Sequence, residues 1–168
     1  AGMQFIESGS GYLACGDIGA GRLADVDDIM DAIEWAIVKE KPLEGVKVVV
    51  TAGPTQEDLD PVRFITNHSS GKMGYSVARA ARNLGANVTL ISGPVNLRKP
   101  VGIEVINVRT ATEMFEVFDS LKSQYDILIK SAAVSDYGVE SVANQKLKKS
   151  GDRLTLEFVM NQDILAYA

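Results

Sequence analysis

The sequence lacks the features of secreted, membrane-spanning and nucleic-acid-binding proteins. It holds a single cysteine, Cys15, so no disulfide can close within the chain, and a reducing compartment suits it. No apolar run approaches the length of a membrane span, and no signal-peptide pattern stands in the opening residues. A cytoplasmic setting without a membrane partner is therefore expected. Positive charge is in deficit: 17 Lys and Arg face 22 Asp and Glu, a formal net charge of −5, which argues against nonspecific binding to nucleic acid. No repeat and no low-complexity tract interrupts the chain. Two common phosphate signatures are missing as well. Gly71-Lys72 is followed by Met73 rather than Ser or Thr, and position 66 is Thr, so there is no P-loop. The G-x-G-x-x-G dinucleotide fingerprint is also absent.

What remains, at 168 residues with 46% apolar and 23% charged residues, is one soluble domain of ordinary size with a core large enough to fold. Its organising stretch runs from Val46 through Val48-Val49-Val50-Thr51-Ala52 to Gly53-Pro54, then resumes at Arg63 and ends in Asn67-His-Ser-Ser-Gly-Lys-Met-Gly74. The β-branched run reads as a buried strand entering a turn. Ser69 and Ser70 are good N-cap residues, and Gly71 and Gly74 permit close backbone approach, so the second part reads as a helix start. The unpaired N–H groups and dipole of such a start favour an anion. A strand, a loop and a capped core helix with no ligand is the alternative. The polar insert carrying Arg63, Asn67 and Lys72 favours a site.

Five glycines between Gly9 and Gly21 predict a loop over residues 1–25. Asp25 to Val38 reads as a helix with Val26, Ile29, Met30, Ile33 and Ile37 on one face. Residues 39–45, with Pro42 and Gly45, form a polar connection and the candidate domain boundary. Met73, Val77, Ala80, Ala81 and Leu84 recur at helical spacing, with Gly85 at the C-terminal cap. Asn87–Ser92, Ile103–Val108 and Tyr125–Ala133 read as strands, and residues 152–159 alternate like a half-exposed one. Thr110 and Glu113 form a capping box for a helix over Ala111–Lys122. This alternation predicts an α/β, Rossmann-like fold: a mainly parallel, three-layer sheet with flanking helices, preceded by a glycine-rich loop and a helix. Ligands in such sheets sit at the carboxyl ends of the strands, so Gly53-Pro54, Gly93-Pro94 and Ala132–Asp136 are expected on one edge. Asp136 reads equally as a turn residue and as a functional one. The run Asn144-Gln-Lys-Leu-Lys-Lys149 is either a solvated loop or a cationic cover for a nucleotide. Cys15 is either an inert core residue or, with glycines on both sides, an exposed thiol.

Thr51-Ala-Gly-Pro-Thr55, Asp60-Pro-Val-Arg63, Asn67–Gly74, Ser131-Ala-Ala-Val-Ser-Asp-Tyr137, Lys146-Leu-Lys-Lys149 and Asn161-Gln-Asp-Ile-Leu165 together resemble the bacterial phosphopantothenate–cysteine ligases. These form the C-terminal half of the bifunctional coenzyme A biosynthesis proteins. Gly11-Tyr-Leu-Ala-Cys-Gly16 and Gly19-x-Gly-Arg22 resemble the substrate clamp of the linked flavin-dependent decarboxylase, in which the cysteine is the proton donor. The resemblance implies residues 1–40 as the decarboxylase tail, a linker to about residue 45, and residues 46–168 as a C-terminally truncated ligase domain. Both ends of the chain read as cut.

The same resemblance implies ligation of 4′-phosphopantothenate with cysteine, using CTP and Mg²⁺, through an acyl-cytidylate. FMN would serve the decarboxylase domain absent from this chain. Lys130, Ser131, Ala132, Asp136, Lys146, Gln162, Asp163, Ile164 and Leu165 would contact the nucleotide. Arg63 and Asn67, with Ala132, would handle the intermediate. Gly53, Ser69, Ser70, Gly71, Lys72 and Gly74 would hold phosphate. A homodimer of the ligase domain within a larger homo-oligomer is the expected assembly. Gln162 stands where proline is usual, and Gly138-Val139 replaces an Arg-Pro-like pair. Two rivals remain: a nicotinamide-dinucleotide-binding Rossmann domain, and a catalytically silent oligomerisation fragment. The first lacks its glycine fingerprint and an acidic residue after the second strand, which closes on Ser92-Gly93.

Overall fold

The computed structural model describes residues 3, 5–149 and 151–167. In chain order its elements are β1 (Gly9–Tyr12), β2 (Ile18–Arg22), α1 (Val26–Ile37), β3 (Lys47–Ala52), β4 (Gln56–Asp58), β5 (Phe64–Thr66), α2 (Lys72–Asn83), β6 (Asn87–Ser92), β7 (Glu104–Asn107), α3 (Ala111–Ser120), β8 (Ile127–Lys130), β9 (Tyr137–Val139), β10 (Phe158–Met160) and α4 (Ile164–Tyr167).

A strand shows alternate residues to opposite faces, and β3 has apolar residues on both, as a central parallel strand needs. The sheet runs β7-β6-β3-β8, every pair parallel, in register Val50↔Leu90 and Val50↔Ile129. Val48, Val50 and Ala52 pack with Tyr75, Ala78 and Ala81 of α2. Val49 packs on the other face with Ile91, Met114 and Phe118. Helices thus cover both faces in three layers, as the sequence predicts. Leu90 and Phe118 are fully buried, and each such side chain contributes about 2 kcal/mol by leaving water. The predicted capping box opens α3: Glu113 N–H donates to Thr110 Oγ1 at 3.1 Å, and Glu113 Oε2 accepts from the Thr110 N–H at 3.4 Å.

Four expectations need correction. Residues 9–22 form an antiparallel hairpin rather than a loop, pairing Gly11 with Gly19 and Tyr12 with Ile18. Glycine suits it, because Gly16 and Gly21 take φ +92° and +130°, backbone conformations that other residues rarely adopt. The buried stripe of α2 is Gly74, Tyr75, Ala78, Ala81 and Arg82, about one residue out of phase with the apolar repeat, and Met73 is exposed. Gly71, not Ser69 or Ser70, is the N-cap of α2. Finally, pairing in the region 152–159 is confined to Phe158–Met160, which joins Tyr137–Val139.

α1 forms where expected, but Val26, Met30, Ile33 and Ile37 on its apolar face are exposed. The helix docks through Asp31 instead. Arg82 Nη2 lies 2.8 Å from Asp31 Oδ1, Arg79 Nε lies 3.4 Å from it, and the Val101 N–H donates to Asp31 Oδ2 at 2.9 Å. Burial pushes the Asp31 carboxyl up, but the Arg82 hydrogen bond, the Val101 N–H and the two guanidinium charges outweigh it and hold the group below its ordinary range. Trp35 lies under the Arg82 guanidinium, 5.4 Å from ring centre to Cζ.

Asp31→Ala leaves a guanidinium that is 1% exposed without its carboxylate. Urea denaturation should show a loss of about 3 kcal/mol. A loss within error of zero would mean that α1 is held by something else.

Candidate functional site

The carboxyl ends of β3, β6 and β8 meet as the alternation predicts. The Ala133 N–H donates to Gly53 O at 2.8 Å, Pro54 pairs with Ala133, and the Gly93 N–H donates to Ala52 O at 2.9 Å. The amino end of α2 is drawn onto this edge. A Cβ on Gly74 would lie 2.5 Å from Ala52 Cβ and 2.6 Å from Ser131 Oγ, so only glycine permits the approach. Gly71 has φ +71°, and a Cβ there would meet Val95 at 2.7 Å and Gly53 Cα at 3.4 Å. Ser131 Oγ in turn donates to Thr51 O at 2.9 Å. Ser69 and Ser70 accept from the Gly71 and Lys72 N–H groups only at 3.4 and 3.5 Å, the long limit of a hydrogen bond. Ser69, Ser70 and Lys72 line a cavity of about 550 Å³ with Pro94–Leu97.

A second cavity of about 440 Å³ gathers Lys130, Ala132, Asp136, Gln162, Asp163 and Ile164. Six of the nine expected nucleotide residues thus share one space, although the two segments are far apart in sequence. Burial pushes the Lys130 ammonium below its ordinary value, and the Asp163 carboxylate partly offsets this. The Leu165 side chain lies outside the described residues.

Arg63 and Lys146 belong to a different neighbourhood. Asp60 is buried, and its Oδ1 accepts from the Val62 and Arg63 N–H groups at 2.8 and 2.9 Å. Its Oδ2 accepts from Arg63 Nε at 2.9 Å and from the Leu147 N–H at 3.0 Å. Arg63 Nη2 donates to Leu147 O at 2.8 Å, so the pair ties the 142–149 loop to the insert. Lys146 is exposed beside Leu147. Lys148, Lys149 and Arg153 line a groove with Arg63. Asn67 Nδ2 donates to Val134 O at 3.2 Å and Ala133 O at 3.4 Å, spanning the strand edge between the two cavities. Cys15 is exposed in the β1–β2 turn, 3.8 Å from Asp17 Oδ2, and lines neither strand-end cavity. A further cavity of about 740 Å³ opens at the amino edge beside Lys47 and Asn87, away from these residues.

Sequence reasoning passed over the polar groups that hold this edge. Thr55 Oγ1 accepts from the Ser135 N–H at 2.9 Å, and Glu57 Oε1 accepts from the Ala111 N–H at 3.0 Å, capping α3 from outside. Asn161 Nδ2 donates to Ser135 O at 2.8 Å. Asp60-Pro61 was readable as a turn start, the setting in which an Asp carboxylate binds following backbone N–H groups. The insert itself folds as a hairpin, Gln56–Asp58 against Phe64–Thr66.

The model of the DNA/pantothenate metabolism flavoprotein C-terminal domain family matches residues 43–168. Among curated proteins, the chain is 48% identical over 167 residues to the coenzyme A biosynthesis bifunctional protein CoaBC of Vibrio parahaemolyticus, covering 98% of this chain and 42% of that protein. It is 50% identical over 167 residues to the CoaBC of Bacillus subtilis, covering 98% and 41%. The chain therefore spans about two-fifths of the length of these relatives. Among solved structures, the C-terminal domain of a CoaBC superposes with a TM-score of 0.67 at 41% identity, covering 76% of this chain and 60% of that one.

The Arg63 hydrogen bonds, against the opposing effect of burial, hold the Asp60 carboxyl far below its ordinary value, with help from the Leu147, Val62 and Arg63 N–H groups. A carboxyl depressed by folding lends stability that is complete above its unfolded pKa, about 4, and is lost as pH falls through the folded value. Asp60→Asn should therefore lower the urea midpoint at pH 7, and the gap to the parent should narrow as pH drops below about 4. Parallel profiles from pH 7 to pH 3 would exclude Asp60 as an acid-sensitive tie.

Proposed function

This chain belongs to the DNA/pantothenate metabolism flavoprotein C-terminal domain family, and on that premise we propose that it is the ligase part of a coenzyme A biosynthesis enzyme. The reaction joins 4′-phosphopantothenate to L-cysteine. The phosphopantothenate carboxylate attacks the α-phosphorus of CTP, forming an acyl-cytidylate and releasing pyrophosphate. The cysteine amine then attacks the acyl carbon, and CMP leaves as the amide forms and a proton is lost. One observation carries this reading: the strand-end cavity that brings Lys130, Ala132 and Asp136 together with Gln162–Ile164. It sits where open α/β sheets bind nucleotides.

On this reading the residues take the following roles. Asn67, bridging Ala133 and Val134, stands between the cavities and orients the mixed anhydride for attack. The start of α2, with Ser69, Ser70, Gly71 and Lys72, holds the phosphate of phosphopantothenate. Gly53 and Gly74 keep that helix end close to β3. Arg63 acts through the 142–149 loop that it ties down, placing Lys146 to meet the departing pyrophosphate.

Among the described residues, no group of three or more His, Cys, Asp or Glu is placed to hold a metal. On this reading Mg²⁺ enters with CTP, bound chiefly by phosphate oxygens and water. On the same reading, residues 1–40 with Cys15 belong to a decarboxylase whose FMN is held outside this chain. The family match, beginning at residue 43, supports that division. A second copy of the chain is the proposed partner, with no nucleic-acid or membrane partner, and the enzyme is cytoplasmic. The exposed Val159 and Met160 of β10 favour association.

Calorimetric titration should show binding of CTP with Mg²⁺ and none of nicotinamide dinucleotides; the reverse would favour an oxidoreductase domain, and silence with both an assembly domain. In the whole enzyme, Lys146→Gln should slow acyl-cytidylate formation about a hundredfold or more. Asn67→Asp should still form the intermediate and accumulate it, because attack by cysteine is impaired. Mass spectrometry of quenched reactions with and without cysteine reads both. Accumulation in Lys146→Gln with none in Asn67→Asp would reverse the two roles.

A further inference from the structure

The connection between α1 and β3 is fastened to the ligase part from Lys41 onward. Lys41 Nζ donates to Trp35 O at 3.0 Å and to Asn83 O at 2.7 Å, joining the last turn of α1 to that of α2. Both are carbonyls that a helix end leaves unpaired, so the ammonium serves each helix. The Leu43 N–H donates to Leu84 O at 2.9 Å, and Leu43 and Val46 pack against the core of β3 and α2. Gly85, at φ +100°, makes room for this: a Cβ there would lie 2.8 Å from Lys41 Cβ and 3.2 Å from Glu44 N. A flexible tether would leave such groups in solvent.

α1 itself is held at its start, middle and end. Its N-cap Asp25 places Oδ2 2.8 Å from Arg98 Nη1, an exposed pair of little strength alone. Asp31, in the middle, pairs with Arg82, and removing it would strand a buried guanidinium. Trp35, near the end, fills the space beside Gly102, where φ is +70° and a Cβ would meet the indole ring at 2.7 Å. The hairpin carrying Cys15 ends at Arg22 and α1 begins at Val26, so Leu23-Ala24-Asp25 alone joins the hairpin to this fixed helix. Resting on the reading of residues 1–40 as a decarboxylase tail, we propose that α1 and the 39–45 connection form a rigid interface between decarboxylase and ligase, in place of a flexible tether.

Trp35 is the one tryptophan of the chain, so its fluorescence reports this interface. The experiment is urea unfolding of the 168-residue chain, followed by Trp35 emission and by far-ultraviolet circular dichroism. A rigid interface predicts a single transition, with the two probes coincident. Trp35 emission that changes at lower urea than the dichroism would overturn the proposal, because α1 would then leave the ligase part on its own. So would emission that is already that of a free indole without urea. Asp31→Asn should lower the Trp35 midpoint. Lys41→Gln, which strands no buried charge, should lower it by less and serves alone if the first variant does not fold. A Trp35 midpoint unchanged by the substitutions would overturn the interface and leave the decarboxylase reading standing. That reading has its own test in the whole enzyme, Cys15→Ser. Decarboxylation at the parental rate would detach residues 1–40 from the decarboxylase, and the proposal would fall even where the probes coincide.

Discussion

The contact between the amino end of α2 and the carboxyl end of β3 governs the functional edge of this protein. Gly74 faces Ala52 so closely that the smallest side chain would overlap it, and Ser131, just past the end of β8, closes the same space. Three elements are thereby fixed against one another at the point where ligands enter an α/β sheet. The positions of Ser69, Ser70, Gly71 and Lys72 follow from it, as does the line of Gly53, Pro54 and Ala133 along the strand ends. Were α2 to stand farther off, its unpaired N–H groups would face solvent rather than the strand ends.

Polar side chains then order the loops that the sheet cannot. Asp60 gathers five N–H donors from Val62, Arg63 and Leu147, joining segments more than eighty residues apart. Thr55 and Asn161 grip the Ser135 backbone from opposite sides. Glu57 reaches from the inserted hairpin to the first turn of α3. Each acceptor takes backbone N–H groups that would otherwise be lost to water or left unpaired, which is why short, irregular segments hold fixed positions. Among the described residues, the Ser135 hydroxyl is the one buried side-chain polar group left without a partner.

Much of this was legible in the chain. The β-branched run at Val48–Val50 read as a buried strand, the alternation of strands and helices read as a mainly parallel sheet, and both faces proved to be covered. The Thr110 and Glu113 spacing marked the start of α3. Expected nucleotide residues on either side of β9 and β10 came together in one cavity. Other features were hidden for physical reasons. Periodicity cannot foresee an arginine in a core: Arg82 takes a buried position in α2 because Asp31 arrives from a helix fifty-one residues earlier. That pairing turns α1 by its polar side and leaves its apolar stripe outward. The glycines of residues 9–22 argued against a strand by propensity, while the ribbon they form needs only backbone pairing and a positive φ at Gly21.

The most direct measurement of the central contact is the unfolding free energy of Gly74→Ala. In an unobstructed helix, alanine stabilises relative to glycine by about 1 kcal/mol. At Gly74 the added methyl would fall within 2.6 Å of both Ala52 and Ser131, so overpacking should outweigh the propensity gain. The account predicts a net loss of about 1–2 kcal/mol in urea denaturation. A variant more stable than the parent would contradict it, because α2 would then have room to spare against β3.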